Sequence, residues 1–523
     1  MPAAGPESNG HSEPTSETSV YAIYGVEPEV QAYAMAKYSR SALSMKESLH
    51  EINNQKAEKF LNTFYFQYGH RSIADLAHIA FAIEKLSILA AIILVDEQRW
   101  DGQERSTRYQ DFKKGGYFTP DFGADAAARN TYRQNVDFLF AEYEFFSQAM
   151  FQWLRERTPR PDEMKPEAYE RTLRARAFDL SRYLLPLATN TSLGQIINAR
   201  TLETQISRLL ASEYSEVRNL GALLKQAARQ PACNANHESA EHLAAKLRDL
   251  NPELADEFVA LALRPVLAAP TLVKYADSNQ YEISSRSELR QAARELMSGT
   301  APEPAPLVDL LDDEPLEIEL AATLLYEHSE FSYRQIRERV EALNAHQRDQ
   351  VIELGLRHRG KHDEMTRAFA AGQKFRFDIL MDVGGFRDMH RHRRCVQIGQ
   401  EFTAAHGYDM PEEIEAAGLA SRYRTAMRRA QDTTTQLAAS DPAGDSRTRA
   451  LYALPLAFRK RTLFKMDFAE AVYISELRTG PAGHFSYRNV AYAMYEAVAR
   501  RYPSLAHHFR VIDVREPVDL LKR

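Results

Sequence analysis

Apolar residues recur at intervals of three and four along much of the chain, a pattern that is typical of amphipathic helices. Val30 to Leu49 and Tyr132 to Arg155 keep this spacing over several turns, so we expect a helix in each. Between Phe81 and Leu94 polar residues are sparse and Ile mixes with Ala, which fits a strand that enters a helix. From about Val20 to Tyr275 the pattern is otherwise mostly helical.

Composition divides the chain into segments. Met1 to Glu17 is rich in Ser, Pro, Glu and Gly and has almost no apolar residues, so we expect a disordered tail. Gly and Pro punctuate Met297 to Pro306, and the acidic stretch Asp309 to Glu317 follows, which predicts a linker. The predicted divisions are a tail at 1–19, a first domain at 20–276, a linker at 277–318 and a second domain at 319–523.

The two predicted domains share landmarks in the same order, which indicates an internal repeat. A Leu-Pro-Leu triplet at 185–187 recurs at 454–456, so that its proline lies 269 positions further on (455 minus 186). Arg208 falls opposite Arg478 at nearly the same spacing. Coincidence in a helix-rich chain is the alternative explanation, and the shared order of several landmarks argues against it.

The overall composition excludes several classes of protein. With 44% apolar and 26% charged residues the chain is ordinary for a globular protein, and a net charge of −6 argues against a general nucleic-acid binder. The only cysteines, Cys233 and Cys395, exclude a disulfide framework and a cysteine-rich zinc site. Apolar runs such as Leu86 to Val95 are too short to span a bilayer, and the first residues lack a signal-peptide pattern. We therefore expect a cytoplasmic protein.

Two short motifs carry the candidate chemistry. Residues 104–109 read Glu-x-Ser-x-Arg-Tyr, and Arg391-His392-Arg393 follows almost three hundred positions later. Arginine suits phosphate because its planar fork donates two parallel hydrogen bonds, while a serine hydroxyl can share the phosphate and a glutamate can orient an arginine. Alone, the first motif could be a solvated charged turn and the second a basic patch for a phosphate-bearing partner or RNA.

Together the motifs resemble the two ends of the Arg-His-Arg…Glu-x-Ser-x-Arg-Tyr signature of flavin-dependent thymidylate synthases, divided here between two diverged copies of one domain. The resemblance covers roughly Val20 to Tyr275 and, more weakly, Glu319 to Leu521. It implies an α+β fold in which each copy has an antiparallel sheet flanked by long helices. It also implies reductive methylation of dUMP to dTMP, with FAD as cofactor and NADPH and methylene-tetrahydrofolate as co-substrates. Two chains would form a homodimer that mimics the family's tetramer.

The resemblance also implies roles for individual residues. A Gly-His-x-Ser segment at 69–72 and an Asn-Ala-Arg segment at 198–200 match flavin-binding segments of the family. The alternative for the second segment is a charged face of a predicted helix that continues through Ser212 to Leu223 and carries Arg218. The residues implied are Glu104, Ser106, Arg108 and Arg182 for the nucleotide; Ser39, His70, Ser72, Asn198, Arg200, Arg391, His392 and Arg393 for flavin; and Arg478 and Arg208 for activation of the pyrimidine.

Neither copy keeps the complete set. Counting back eight positions from Glu104 places the family's Arg-His-Arg on Asp96-Glu97-Gln98, whose carboxylates would repel phosphate. Counting forward from Arg391 places the Glu, Ser and Arg on Gly399, Glu401 and Thr403, and Asp467-Phe468-Ala469 replaces Asn-Ala-Arg. A working site would need loops of both copies to meet, with Arg99 or Arg387 as further candidates for lost positions. The alternatives are a flavin- or nucleotide-binding protein without this activity, and related chemistry on another pyrimidine.

Two other groups of residues invite a functional interpretation. His358 and His362, with Glu364, have a spacing that could bind a metal, but Gly360 weakens the helix that this would need, so we predict no metal site. Cys395 lies near basic residues, yet no partner base is visible in the sequence, so we interpret it as a buried small residue.

Overall fold

The computed structural model describes residues 25–37, 45, 48–49, 61, 71–112, 116–360, 363, 366–440, 445–507 and 509–521. The predicted tail and the predicted flavin residues Ser39 and His70 lie outside the described residues, as does His362. We refer to residues 25–296 as the first half and to residues 308–521 as the second half.

The first half contains α1 (Pro28–Lys37), β1 (His78–Ser87), α2 (Ile88–Leu94), β2 (Asp101–Glu104), α3 (Ala126–Arg157), α4 (Pro166–Ser181), β3 (Asn190–Asn198), α5 (Ala199–Leu210), α6 (Ser215–Arg229), α7 (His237–Leu250), α8 (Pro252–Ala262) and α9 (Gln280–Leu296). The second half contains β4 (Val308–Leu310), α10 (Leu316–Tyr326), α11 (Tyr333–Glu341), α12 (Ala345–Leu354), β5 (Phe375–Asp382), α13 (Val383–Met389), β6 (Val396–Gly399), α14 (Glu412–Ala416), α15 (Ala420–Ala439), α16 (Ser446–Leu451), β7 (Arg459–Met466), α17 (Phe468–Arg478), α18 (Phe485–Arg501) and α19 (Pro503–Ala506). Short 3₁₀ turns lie at Arg71–Leu76, Arg182–Leu184 and Arg367–Phe369.

Each half builds an antiparallel sheet, in the order β1-β3-β2 in the first and β4-β5-β7-β6 in the second. In both sheets the long middle strand, β3 or β7, pairs with a strand that runs directly into a short buried helix. The long helices pack around these sheets. The predicted α+β fold with two copies of one antiparallel arrangement is therefore confirmed.

The strand-to-helix step is built alike in both halves. Ser87 ends β1 and caps α2 by accepting a hydrogen bond from the N–H of residue 90, and Asp382 ends β5 and caps α13 in the same way. Glu216 accepts hydrogen bonds from the Ser87 N–H and hydroxyl at 2.8 and 2.6 Å, whereas the Ser486 hydroxyl donates to the Asp382 carboxylate. The two halves thus exchange which side chain supplies the hydroxyl and which supplies the carboxylate.

This exchange leads to a testable expectation in the first half. Glu216→Ala removes both acceptors of Ser87, whose side chain is fully buried, so we expect a loss of about 1–3 kcal/mol in the free energy of unfolding. Glu216→Gln keeps one carbonyl acceptor and should cost less than Glu216→Ala. Urea denaturation of both variants checks the order, and equal losses would contradict the hydrogen-bond explanation.

The two halves meet along their Leu-Pro-Leu segments. An isolated antiparallel bridge joins Pro186 to Pro455, with reciprocal hydrogen bonds from the Leu187 N–H to the carbonyl of residue 454 (2.8 Å) and from the Leu456 N–H to the carbonyl of residue 185 (2.9 Å). One buried apolar core runs across this junction and includes residues of both halves. The repeated triplet is therefore the local two-fold contact between the copies.

The structure agrees with most of the predicted elements and corrects one. α3 contains the predicted helix at Tyr132 to Arg155, and the predicted strand-to-helix step between Phe81 and Leu94 is β1 followed by α2. The predicted continuation of the Asn-Ala-Arg helix through residues 212–223 is wrong, because α5 ends at Leu210 and α6 begins at Ser215. α6 folds back so closely that a Cβ on Gly221 would lie 3.0 Å from the Leu209 Cβ.

Much of the segment between the halves is regular. Of the predicted linker at 277–318, residues 280–296 form α9 and residues 308–310 form β4, which pairs with β5. The Gly- and Pro-rich part at 298–306 has neither helix nor strand. The domain boundaries themselves stay a prediction.

Candidate nucleotide site at the junction of the two halves

The strand registers align the two signature regions with each other. Glu104 at the end of β2 pairs with Leu193 on β3, and Gly399 at the end of β6 pairs with Thr462 on β7. This agrees with the alignment obtained by counting positions in the sequence. It places Asp96, Glu97 and Gln98 opposite Arg391, His392 and Arg393, and Ser106 and Arg108 opposite Glu401 and Thr403.

The two fragments of the signature lie against each other across the junction. Arg387, on the helix that precedes the Arg-His-Arg triplet, donates to the Glu104 carboxylate at 2.5 Å and to the Thr107 hydroxyl at 3.3 Å. The Ser106 hydroxyl accepts a hydrogen bond from the Arg108 N–H at 3.2 Å, which shapes the turn after Glu104. Loops almost three hundred residues apart therefore form one site, which we call the junction cluster. Its members are Glu104, Arg108, Asp179, Arg182, Arg387, Asp388, Arg391, His392, Arg393, Arg478 and Tyr487.

Arg108 is a buried tie between the halves. It binds Asp179 with two parallel hydrogen bonds of 2.7 and 3.2 Å. It also donates to the Tyr487 hydroxyl at 3.0 Å and to the carbonyl of Ala482 at 3.2 Å, both in the second half. Burial alone would lower the pKa of Arg108, but the Asp179 carboxylate outweighs it and the net shift is upward. Arg108 therefore stays charged at any pH in which the protein folds.

Arg182 carries donors that the described residues leave unused. Its side chain is 2% exposed, and its Nε and Nη2 atoms have no hydrogen-bond partner in the described part of the chain. Asp388 lies 3.6 Å from its Nη1. Burial raises the pKa of Asp388, but Arg182, Arg108, Arg391 and Arg478 together hold it below its ordinary value. Asp388 thus lies among four guanidinium groups, of which Arg108 also binds Asp179, so the cluster keeps a surplus of positive charge that suits an anionic ligand.

Arg478 is held by His392 within the same cluster. Its Nε donates to His392 Nε2 at 2.7 Å, so the proton of the neutral imidazole lies on Nδ1, which faces a Glu470 carboxylate oxygen at 3.5 Å. Burial lowers the pKa of His392, although Glu470 opposes this shift. The guanidinium groups of Arg478 and Arg108 lie 5.4 and 5.7 Å from the Tyr487 ring centroid. His392 therefore holds Arg478 beside Tyr487, on whose ring Arg108 of the first half also lies.

The other two members of the triplet form a crowded cationic edge. Arg391 is exposed and forms no ion pair with the described residues, while the Arg393 guanidinium stacks on Trp100 at 4.3 Å. Arg393 also donates to the carbonyl of Val95 at 3.5 Å. Burial and the nearby Arg391 lower the pKa of Arg393 to about 10. An anion bound at this edge would relieve the repulsion between the two arginines.

The remaining predicted residues lie elsewhere. Asn198 caps α5 through a 2.8 Å hydrogen bond from the residue 201 N–H, and Arg200 on the first turn forms an ion pair with Asp75 at 3.3 Å. Arg208 binds Glu97 at 2.7 Å. Arg200 and Arg208 line a cavity of about 1420 Å³, whose described lining includes none of the junction residues. Ser72 is exposed in the 3₁₀ turn at Arg71–Leu76. The structure therefore separates the predicted flavin segment of the first half from the junction cluster.

Sequence reasoning missed some members of the junction cluster and left others open. Asp179 and Asp388 each lie on a helix and precede a predicted site arginine by three positions. That spacing is the signal from which the sequence could have identified them as partners of the arginines. Tyr487 had no signal in the sequence. Of the suggested substitutes, Arg387 contacts Glu104, while Arg99 pairs with Asp75 at 3.5 Å on the cavity side.

Two further predictions concern other side chains. Cys395 is 3% exposed, and burial raises the pKa of its thiol to about 12, so its interpretation as a buried small residue is confirmed. His358 contacts Glu288 at 2.8 Å. Within the described ranges, no helix combines the length and the apolar character that crossing a membrane requires.

The family profile described as thymidylate synthase complementing protein matches residues 23–232 and 306–504. The chain belongs to this family. The two matched regions agree with the repeat, and they confirm the resemblance drawn from the split signature. Because each region carries one sheet with its strand-to-helix step, the chain is a tandem of two diverged copies of the family's domain.

Some relatives match almost all of this chain, and others match a part of it. A UPF0159 protein of Chlamydia pneumoniae is 26% identical over 96% of this chain and 93% of its own length, and a UPF0159 protein of Thermoplasma acidophilum is 23% identical over 92% and 94%. A flavin-dependent thymidylate synthase of Clostridium tetani is 25% identical over 38% of this chain and 76% of its own length. A crystal structure of the Helicobacter pylori flavin-dependent thymidylate synthase with FAD and dUMP is 16% identical, with a TM-score of 0.26, over 38% of this chain and 89% of that one.

Proposed function

We propose that the junction cluster binds the phosphate of a pyrimidine nucleotide such as dUMP, and that the protein is a diverged FAD-dependent thymidylate synthase that converts dUMP to dTMP. One observation carries the proposal: the two signature fragments meet, and together they leave the buried Nε and Nη2 of Arg182 without a partner in the described part of the chain. Family membership supports the same reaction class. NADPH and methylene-tetrahydrofolate enter as the co-substrates that this reaction needs.

The geometry suggests which arginines would bind the phosphate and which would face the pyrimidine. Arg182 offers the buried Nε and Nη2 atoms, and Arg391 offers a surface charge; neither set has a hydrogen-bond or ion-pair partner among the residues that the structure describes. A phosphate between them would gain charge-assisted hydrogen bonds without disrupting an existing ion pair. Arg478, oriented by His392, would face the pyrimidine and stabilise negative charge that develops on its carbonyl oxygens during attack by the ring carbon.

The residues present also fit a flavin nucleotide. Arg393, whose guanidinium stacks on Trp100 and is crowded by Arg391, suits its pyrophosphate. When bound, FAD would supply the hydride that reduces the transferred one-carbon group. The predicted flavin residues Asn198 and Arg200 lie outside the junction cluster, since Asn198 caps α5 and Arg200 pairs with Asp75, so they would serve a different bound molecule or a second chain.

The first test is nucleotide binding by matched variants. Arg391→Ala removes an exposed, unpaired charge and should leave the fold intact while weakening dUMP binding by at least about tenfold. Arg394→Ala is the control, since the neighbouring Arg394 is also exposed and pairs with Asp467 at 2.9 Å. Isothermal titration calorimetry measures both. Equal affinities in the two variants would contradict a role for the Arg-His-Arg triplet at the nucleotide.

Turnover is a separate measurement. Purified protein should retain or take up flavin, seen in its visible absorption spectrum, and should oxidise NADPH only when dUMP is present.

A second candidate function, nucleotide binding without methylation, is favoured by the replacement of Asn-Ala-Arg by Asp467, Phe468 and Ala469 beside the cluster. Binding of dUMP without dUMP-dependent oxidation would support that second function.

Assembly into a homodimer that mimics the family's tetramer also belongs to the proposal. If a second chain completes the flavin site, light scattering should show a dimer, and dilution to monomer should release flavin before it releases dUMP.

A further inference from the structure

The large cavity is the pseudo-symmetric counterpart of the junction cluster. Arg208 donates to Glu97 in the cavity wall as Arg478 donates to His392 in the cluster, and Glu97 aligns with His392. Gly399 and Glu401 of the second half line the same cavity, where the alignment expects the phosphate-binding end of the signature. The chain therefore contains two equivalent places, one of which has kept the phosphate-binding residues.

The electrostatic character of the cavity is reversed. Nine carboxylate residues and six arginine or lysine residues line it. Asp96 and Glu97 stand where the cluster has Arg391 and His392, and Glu401 stands where the first half has Ser106. A phosphate group in this cavity would lie near carboxylates at the positions where the junction cluster has its arginine, histidine and serine. Like-charge repulsion in a poorly solvated site would make the binding of phosphate unfavourable.

Most of the arginines in the wall are already engaged. Arg367 binds the Asp96 side chain and its carbonyl, and Arg208 binds Glu97. Arg99 and Arg200 both contact Asp75. The remaining two cations, Arg286 and Lys460, donate to main-chain carbonyls, and burial lowers the pKa of Lys460 to about 8.

Several acceptors in the wall, in contrast, are unused. The carboxylates of Glu282 and Glu327 form no hydrogen bond or ion pair with the described residues, and burial raises the pKa of each. Gln400 Oε1, Thr462 Oγ1 and Ser285 Oγ are buried polar atoms without a hydrogen-bond partner in the described part of the chain. Buried polar atoms are normally satisfied. Gln400 Oε1 and the two carboxylates can only accept, and the two hydroxyls can also accept, so this group suits a ligand that supplies N–H donors.

His390 adds a further acceptor whose state the geometry decides. Gln397 directs its amide NH₂ to the carbonyl of His392 at 2.7 Å, so its oxygen accepts from His390 Nδ1 at 2.8 Å. The proton of the neutral ring therefore lies on Nδ1, and burial lowers the pKa of His390. Its Nε2 lone pair, without a hydrogen-bond partner, faces an Asp96 carboxylate oxygen at 3.7 Å. A donor that reaches His390 Nε2 would satisfy the ring and relieve its contact with the Asp96 oxygen.

The same wall is partly aromatic. Phe386, Phe402, Phe369, Tyr214 and Tyr281 line the cavity, and the Phe386 ring stacks on His390 with centroids 4.9 Å apart. Flat apolar surfaces beside hydrogen-bond acceptors suit a planar ring that carries amino groups on its edge.

We propose that this cavity is a second ligand site, which binds an amino-substituted heteroaromatic base or its nucleoside and rejects the phosphorylated form. Glu327, Glu282 and His390 would accept its N–H groups. The proposal does not depend on the chemistry at the junction cluster, since it rests on the cavity wall alone.

The test uses the full-length chain with dUMP present at saturation, so that the junction cluster is occupied. Adenosine and cytidine are titrated against their 5′-monophosphates, with spermidine as an aliphatic cation, and binding is measured by calorimetry and saturation-transfer NMR. We expect at least one nucleoside to bind at least about tenfold more tightly than its monophosphate. Glu327→Gln should weaken that nucleoside by about tenfold, whereas Glu330→Gln, at a nearby exposed glutamate, should not.

A second readout keeps the result interpretable without a ligand. Because the Glu327 carboxylate is unpaired, Glu327→Gln should raise the thermal stability of the unliganded protein, which a merely structural glutamate would not do. Three results would overturn the proposal: a monophosphate that binds as tightly as its nucleoside, binding of spermidine alone, or no binding of any probe. In each case dUMP binding at the junction cluster is scored separately, by the Arg391→Ala variant.

Discussion

Arg108→Ala is expected to lower the free energy of unfolding by about 3–5 kcal/mol, the loss usually found when one partner of a buried ion pair is removed. Asp179 would stay buried without its two hydrogen bonds, and the second half would lose a donor to Tyr487 and to the carbonyl of Ala482. Urea denaturation of the variant measures the loss. Because Arg108 joins the two halves, we also expect their unfolding to become less cooperative.

The double variant Arg108→Ala/Asp179→Asn separates stability from binding. Asp179→Asn removes the buried charge that has lost its ion pair with Arg108, so the double variant should be more stable than Arg108→Ala alone. It should still bind dUMP at least about tenfold more weakly than the natural protein, since the loop after Glu104 loses its hydrogen bonds to the second half and no longer holds the cluster in place. A double variant as unstable as the single one would show that packing around Arg108, and not the charge of Asp179, sets the loss.

The second large effect concerns Asp382 and pH. Its carboxylate is fully buried, and burial, with the nearby Asp409, raises its pKa from 3.8 to about 6. The folded protein therefore binds more protons here than the unfolded chain between pH 3.8 and about 6. Stability from this group is fully present below pH 3.8 and is lost as the pH rises toward about 6. The difference between the two pKa values corresponds to roughly 3 kcal/mol.

Asp382→Asn removes this titration while keeping the helix cap. An asparagine oxygen can still accept from the Gly385 N–H, so α13 should form normally. The stability of the natural protein minus that of the variant should therefore fall as the pH rises from about 4 to about 7. Asp249→Asn, at an exposed aspartate, is the control and should leave the pH profile unchanged. Parallel profiles for Asp382→Asn and the natural protein would contradict the assignment.

Local patterns predicted several elements because their signals lie within a few residues. The spacing of apolar residues predicts α3, and the sparse polar residues after Phe81 predict the step from β1 to α2. The same reasoning failed at residues 211–214, because the break between α5 and α6 depends on the close approach of Gly221 to Leu209. That contact joins two helices, and the spacing of apolar residues along either helix does not reveal it.

The candidate site shows the same division. The sequence alone shows the split signature, the Leu-Pro-Leu repeat and the acidic residues Asp96 and Glu97. The signature and the repeat predicted the family, and the acidic residues indicated that the first copy has lost its Arg-His-Arg triplet. The spacing of charged residues could not show that Arg387 contacts Glu104, nor that Arg200 lies on the cavity side.

The sequence by itself determined the repeated domain, its α+β class and the arginines that we propose for phosphate binding, because motif letters and hydrophobic periods are local properties of the chain. Only the tertiary structure decided which halves of the signature share a site. Reciprocal hydrogen bonds between the two Leu-Pro-Leu segments set that pairing, by bringing the loop of one copy against the loop of the other. The same two-fold contact also creates a second place where segments of the two halves meet, the cavity. There Asp96 and Glu97 of the first half lie near Gly399 and Glu401 of the second, so its charge is opposite to that of the junction cluster.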